Sequence, residues 1–260
     1  MSKKFIFGGS YSGVPAYDAD AQAFLTATGI VDVTISNAVN TLVLDLKGGS
    51  LWGYADVILP IVGGTDSTHR VSLKDATNRV AWNGGITHDS SGVLFNGVNG
   101  YGDVSWQAPI LYSRTASEFI TDSTGTNNGW SGIFVGSYVF GMQLKRSGVD
   151  LQLLALGVNT LSGFISTPVA FGLRTSTVTS SAVNGGSHYA GGTLLKQQTP
   201  NNAPPINSAN YFIGALNQSG SPILYNARKS NFFFFGSGLI QSEVIELNNI
   251  ITTFNTAIGR

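Results

Sequence analysis

The side chains best placed to do chemistry are two tryptophans set beside amides in glycine-rich turns. They are Trp82-Asn83-Gly84-Gly85 and Asn127-Asn128-Gly129-Trp130. An exposed indole stacks on the C–H face of a sugar ring while a neighbouring amide bonds its hydroxyls. Trp82, Asn83, Asn128 and Trp130 are therefore the candidate glycan-binding residues. Hydrolysis of a glycan ordinarily needs two carboxylates roughly 5 to 9.5 Å apart. The chain has three glutamates: Glu118 stands alone, and Glu243 and Glu246 fall in a C-terminal helical pattern. No Glu-x-Asp-x-Glu run, Gly-x-Ser-x-Gly elbow, phosphate-binding loop or His-Glu-x-x-His motif occurs. The expectation is no enzymatic activity and no cofactor.

His69, His88 and His188 are too scattered to mark a metal site, and the absence of cysteine removes zinc-finger, iron–sulfur and thiol chemistry. No metal is expected; calcium would be the ion if one bound, with Asp103 or Asp122 as ligands. Fourteen basic and fourteen acidic residues give zero net charge with no basic stripe, which argues against nucleic acid. The apolar stretch after Lys3-Lys4 ends at Gly8, too short for a signal peptide, and no run reaches the roughly 18 apolar residues of a membrane helix. A soluble chain, not exported by that route and without membrane insertion, is expected. Only 11% of residues are charged, so Gly, Ser, Thr and Asn must supply the polar surface.

Three helical patterns frame a long β block. Asp18 to Gly29 reads as one short helix, and Asp32 caps a second with Ile35, Ala38, Val39, Leu42, Val43 and Leu46 at helical spacing. Val244, Leu247, Ile251, Phe254 and Ile258 form a third apolar stripe, expected to pack on the outside of the sandwich. Between residues 53 and 238, short runs rich in Val, Ile, Phe and Thr alternate with turn residues. The strands expected include ADVILPIV, HRVSLKD, GVLFNG and NFFFFGSG. No β-α alternation appears, so an antiparallel sandwich is expected rather than a doubly wound sheet. Asn184-Gly185 suits a type I′ hairpin turn, and residues 196–210, rich in Pro and Asn, read as a loop.

Three segments resemble the concanavalin A-like lectin/glucanase superfamily in its laminin-G-like form: GVLFNGVNGYGDVSW (92–106), AVNGG (182–186) and the closing stretch 211–254. The prefix 18–75 looks like the helical segment preceding such modules in a group of bacteriophage virion proteins. One departure is Ile240, which stands three residues before Glu243 where the family usually has a capping Ser, Thr or Asp. The resemblance implies a mainly β, concanavalin A-like jelly-roll sandwich with N-terminal helices and a C-terminal helix packed on it. It divides the chain into an arm with helices (1–52) and a sandwich with its closing helix (53–260). It further implies a virion protein on capsid or tail, attaching to a host-surface glycan. The alternatives are a purely architectural capsid or tail protein and a non-catalytic carbohydrate-binding module. A homo-oligomer, with a trimer favoured, is expected alongside other virion proteins. The aromatic N-terminal segment with Phe5, Phe7 and Tyr11 is the candidate assembly contact.

Overall fold

The computed structural model describes residues 17–108, 113–122, 129–135, 138–143, 151–156, 164–166, 171–200 and 209–260. Helix α1 (Ala19–Thr28) is capped by Asp18, whose carboxylate accepts the Asp20 amide, and it ends at Gly29 in the left-handed region. Helix α2 (Val33–Gly48) is capped by Asp32 and buries Ala38, Val39, Leu42, Val43 and Leu46, the stripe read from the sequence. Lys47 reaches both Asp18 and Asp20 at 2.7 Å, tying the end of α2 to the start of α1.

A one-turn helix, α3 (Asp66–His69), stands where the HRVSLKD strand was expected to begin, and Val71 makes only an isolated bridge to Arg79. The local reason is a cap: the Thr65 side chain accepts the Thr68 amide while Thr68 Oγ1 accepts the Thr65 amide. Helix α4 (Gln241–Ala257) buries Val244, Leu247, Ile251 and Phe254. Isoleucine has no acceptor, so at Ile240 only the reciprocal half of a capping box forms, the Glu243 carboxylate accepting the Ile240 amide at 2.7 Å.

Seventeen strands lie among the described residues: β1 (Ala55–Leu59), β2 (Ala81–Asn83), β3 (Ile86–Asp89), β4 (Gly92–Phe95), β5 (Tyr101–Asp103), β6 (Arg114–Asp122), β7 (Trp130–Val135), β8 (Tyr138–Gln143), β9 (Leu151–Leu156), β10 (Phe164–Ser166), β11 (Gly172–Val178), β12 (Gly186–Ala190), β13 (Thr193–Gln198), β14 (Phe212–Ile213), β15 (Leu216–Gln218), β16 (Ser221–Ile223) and β17 (Lys229–Gly236). They form two sheets. The first runs β13-β12-β11-β6-β17-β4-β3, with β1 beside the second half of β17; the second runs β10-β9-β8-β7-β14-β5-β2, with the β15–β16 hairpin on β7.

The arrangement has three layers: helices, first sheet, second sheet. Phe232 and Phe234 of β17 share one core with α1, α2 and α4, while Phe233 and Phe235 share another with Ile133 and Phe140 of the second sheet and with Tyr211, just before β14. A strand covered on both faces needs apolar residues at every position, because successive side chains point to opposite sides. That is the role of the four-phenylalanine run, each ring contributing about 1.5–3 kcal/mol when fully buried.

Two local expectations are corrected. Pairing is antiparallel except for β15, which runs parallel to β7. The link between Val178 and Gly186 is not a two-residue type I′ turn: Asn184 has φ 62 but Gly185 is absent from the positive-φ residues, and a seven-residue loop is closed by Thr179 and Gly185 amide bonds. Most of the expected 196–210 loop lies outside the described residues.

A buried ion pair lies inside the sandwich. Arg228 donates to Glu118 through Nε (2.8 Å) and Nη2 (2.6 Å), and Nη2 also donates to Ser131 Oγ on the second sheet. Ser230 Oγ donates to Glu118 Oε1 at 2.5 Å. The lone glutamate of the β block is thus a structural clamp between the layers.

Candidate functional site

Strand alternation decides which candidate side chains meet. β2 and β5 pair with Ala81 opposite Asp103, Trp82 opposite Gly102 and Asn83 opposite Tyr101. Trp82 turns inward. A Cβ on Gly102 would come within 2.5 Å of its ring, and Phe95 and His88 lie 6.4 and 5.2 Å from it. Asn83 projects from the opposite face. The two neighbours are therefore separated by the period of two along a strand, and the expectation that they act together is corrected: Trp82, itself only partly buried, packs against the core between the sheets.

Trp130 is also corrected: it is 3% exposed and packs with Val139 and Leu216, leaving no ring face for a ligand. Asn128 lies outside the described residues, as do Phe5, Phe7 and Tyr11.

A different set gathers on the face of the second sheet turned away from the first. Tyr101 stacks at a tilt on Phe212 of β14 (ring centroids 4.7 Å apart) and lies 6.4 Å from Tyr225. Phe212 is buried beneath, and both tyrosines are half-buried, so part of each ring meets solvent. Beside them runs a polar row. Gln107 Nε2 donates to Asn210 Oδ1 (3.3 Å), and Asn210 Nδ2 donates to Asp103 Oδ2 (3.1 Å). Asp103 Oδ1 accepts the Ser105 amide at 2.8 Å, and Asn217 Nδ2 donates to the Asn210 carbonyl at 2.7 Å.

Burial, then Tyr225 and Asp103, raise the Tyr101 pKa, so its hydroxyl stays protonated and able to donate. The backbone around the patch is held in uncommon conformations: Ser105, Ser219 and Leu224 have φ of 55, 52 and 50. Leu224, directly before Tyr225, is a 49%-exposed leucine in the left-handed region, a combination that costs about 1–2 kcal/mol. Strain of this kind collects at ligand sites. The arrangement offers two ring edges or faces, a carboxylate, and amides that both donate and accept. Of the glycan-binding candidates only Asn83 lies on this face, opposite Tyr101, and Asp103 was a candidate only as a calcium ligand. Tyr101 and Asp103 were legible as one face of the Tyr-Gly-Asp alternation, whereas Phe212 and Tyr225 come from more than a hundred residues away.

The histidines do other work. Gly64 N–H donates to His69 Nε2 at 3.2 Å, so the His69 proton sits on Nδ1 and is donated to His88 Nδ1, 3.0 Å away. A metal on the paired Nδ1 atoms would require a proton on His69 Nε2, facing the Gly64 donor; the geometry is that of a hydrogen-bonded pair. His188 is buried on β12 against Ser176. Among the described residues no three His, Asp or Glu side chains group as metal ligands. Asp122, the other calcium candidate, lies opposite Lys229 at the end of β6. Among those residues also, no helix is long and apolar enough to cross a membrane.

No family model matches the chain, and no curated protein matches it. Solved structures do. A Trypanosoma rangeli sialidase in complex with sialic acid aligns at TM-score 0.47 and 14% identity, over 84% of this chain and 39% of its own. A mutant of that sialidase displaying trans-sialidase activity aligns at 0.43 and 15%, over 85% and 39%. The NanB sialidase of Streptococcus pneumoniae aligns at 0.39 and 14%, over 56% and 27%. The chain spans at most 39% of the length of these structures, and at such identities the likeness concerns fold alone.

The expectation of no enzymatic activity is corrected to an open one: the structures that align are sialidases and a sialidase mutant displaying trans-sialidase activity, a weak fold-level likeness that assigns no activity to this chain. Its premise was also too narrow, because sialidases use a tyrosine nucleophile in place of the two-carboxylate arrangement, so a shortage of glutamates excludes less than it first implies.

Proposed function

We propose that this chain is a bacteriophage virion protein, displayed on capsid or tail, which holds a host-surface glycan on the Tyr101–Tyr225 patch. In this reading the sandwich is of the concanavalin A-like, laminin-G-like jelly-roll kind. Virion placement is supported by the resemblance of residues 18–75 to the prefix found in phage proteins. Glycan binding is supported above all by one observation: two half-buried tyrosine rings 6.4 Å apart, set beside a hydrogen-bonded amide–carboxylate row on the face of the second sheet turned away from the first. Aromatic stacking and hydroxyl bonds give weak single sites, and a symmetric homo-oligomer, a trimer in this proposal, would multiply them into stable attachment.

The test has two arms. Antibody labelling of intact particles locates the protein, and incubation of purified protein with host cells at low and high salt measures attachment. Tyr101→Ala and Tyr225→Ala should each weaken attachment by roughly 1–3 kcal/mol, by analogy with stacking of bases on aromatic side chains, in protein that circular dichroism shows to be still folded. Attachment should survive salt that screens ionic contacts. Folded oligomer that fails to bind cells at either salt would overturn the attachment role.

A second reading is favoured by the helix layer, where Val31 and Val33 are 90% and 68% exposed at the start of α2. Such residues suit a contact with another virion protein, making the role architectural. Particles that lack the protein yet assemble normally would count against it.

A further inference from the structure

We infer that the Tyr101–Tyr225 patch selects uncharged sugars and rejects acidic ones; this rests on the reading of that face as glycan-binding. The charged group built into the patch is Asp103, half-buried between Tyr101 and the Asn210 amide. Each of its oxygens accepts one protein donor, Ser105 N–H on Oδ1 and Asn210 Nδ2 on Oδ2. A carboxylate oxygen has room for a second donor, so both oxygens can take a proton from a sugar hydroxyl. A sugar carboxylate has no proton to give and would place like charge against Asp103.

The rest of the rim points the same way. The ionisable neighbours acting on the Tyr101 hydroxyl are Tyr225 and Asp103, both acids. Asn83, Gln107 and Asn210 supply neutral amides. Among the described residues no lysine, arginine or histidine bonds to these groups or stacks on the two tyrosines. Recognition of a carboxylate or sulfate by proteins ordinarily uses an arginine fork or a lysine. The arginine nearest in sequence to Tyr225, Arg228, is 2% exposed and engaged with Glu118.

The experiment uses the full-length protein and matched probes: dextran, galactan, mannan and xylan, each with its carboxymethyl derivative, in retention and titration assays. The expected result is retention by at least one neutral polysaccharide, with its carboxymethyl form bound about tenfold more weakly. That factor follows from the Coulomb penalty at roughly 7 Å in a medium between water and protein interior. The discrimination should shrink as salt rises to about 1 M. Asp103→Asn, nearly isosteric, should bring the neutral and acidic forms to within about twofold of each other. Should Asp103→Asn lower the melting temperature, the salt dependence of the unaltered protein decides the matter alone. Acidic forms bound as well as or better than neutral ones at low salt would overturn the charge selection and leave glycan binding standing. Absence of binding to every probe and to host cells would remove both.

Discussion

Glu118→Gln should be among the most destabilising single changes available in this molecule. The substitution keeps the shape of the side chain and removes its charge. Arg228 is then left 2% exposed with its Nε and one Nη2 hydrogen facing a neutral amide, and its Nη1 has no partner among the described residues. Half of the amide is a donor, so it cannot accept from Nε, Nη2 and the Ser230 hydroxyl as the carboxylate does. Removing one partner of a buried ion pair costs about 3–5 kcal/mol, a large part of the roughly 5–15 kcal/mol typical of a folded domain. Removing both partners differs: Glu118→Leu with Arg228→Met leaves no stranded charge and should recover much of the loss. Recovery should stop short of complete, since the Ser131 and Ser230 hydroxyls would each lose a partner, at about 1–3 kcal/mol per stranded group. Urea unfolding followed by tryptophan fluorescence gives both midpoints. A Glu118→Gln unfolding free energy within about 1 kcal/mol of the parent, or a double variant less stable than the sum of the singles, would refute the clamp.

Three further outcomes are expected. Burial holds His69 and His188 at about 3, so both are neutral in the folded state; below about pH 6.5 the unfolded chain takes up their protons and the folded state does not. Stability is therefore fully present above pH 6.5 and falls with pH, by about 2 kcal/mol per histidine at pH 5, and equal urea midpoints at pH 7 and pH 5 would contradict this. Trp130→Ala should cost about 3–5 kcal/mol by opening a cavity against Val139 and Leu216, with thermal unfolding as the readout; an unchanged melting temperature would return Trp130 to the surface. Leu42→Asp or Leu247→Asp places a charge at two fully buried helix positions and should cost on the order of 3–5 kcal/mol, which circular dichroism melts would detect.

The helices were readable in the sequence because their stripes are local: Asp18 and Asp32 cap, Gly29 stops, and the apolar spacing between Ile35 and Leu46 lies within one element. The sandwich was readable from strand length and turn residues. What was not readable is the side each strand presents, since that depends on register with partners distant in sequence. Trp82 and Asn83 looked like one recognition motif until Gly102 fixed the tryptophan on the inner face. Glu118 was judged by what it could catalyse, and its partner lies 110 residues away. Tyr225 gains its meaning from Tyr101, and no local spacing connects them. The α3 turn escaped notice because a Thr–Thr cap is a weaker signal than the β-rich run following it.

The position of β17 in the first sheet bears on how the chain can fold during synthesis. Its eight residues, Lys229–Gly236, pair with β6 on one side and with β1 and β4 on the other. Those three strands all leave the ribosome more than a hundred residues earlier, at roughly 5–20 residues per second. Until β17 follows, β1 and β6 have no strand between them, and the faces awaiting the phenylalanine run stay wet. Helix α4, which seals the outer side of that strand, is made after it. The nascent protein therefore holds open strand edges for roughly 5 to 20 seconds or more, and closes in a late step that inserts a strand between earlier ones. A chain stopped anywhere before residue 229 lacks the middle of its sheet rather than its margin. Such fragments should expose pairing edges and aggregate, instead of surviving as shortened sandwiches.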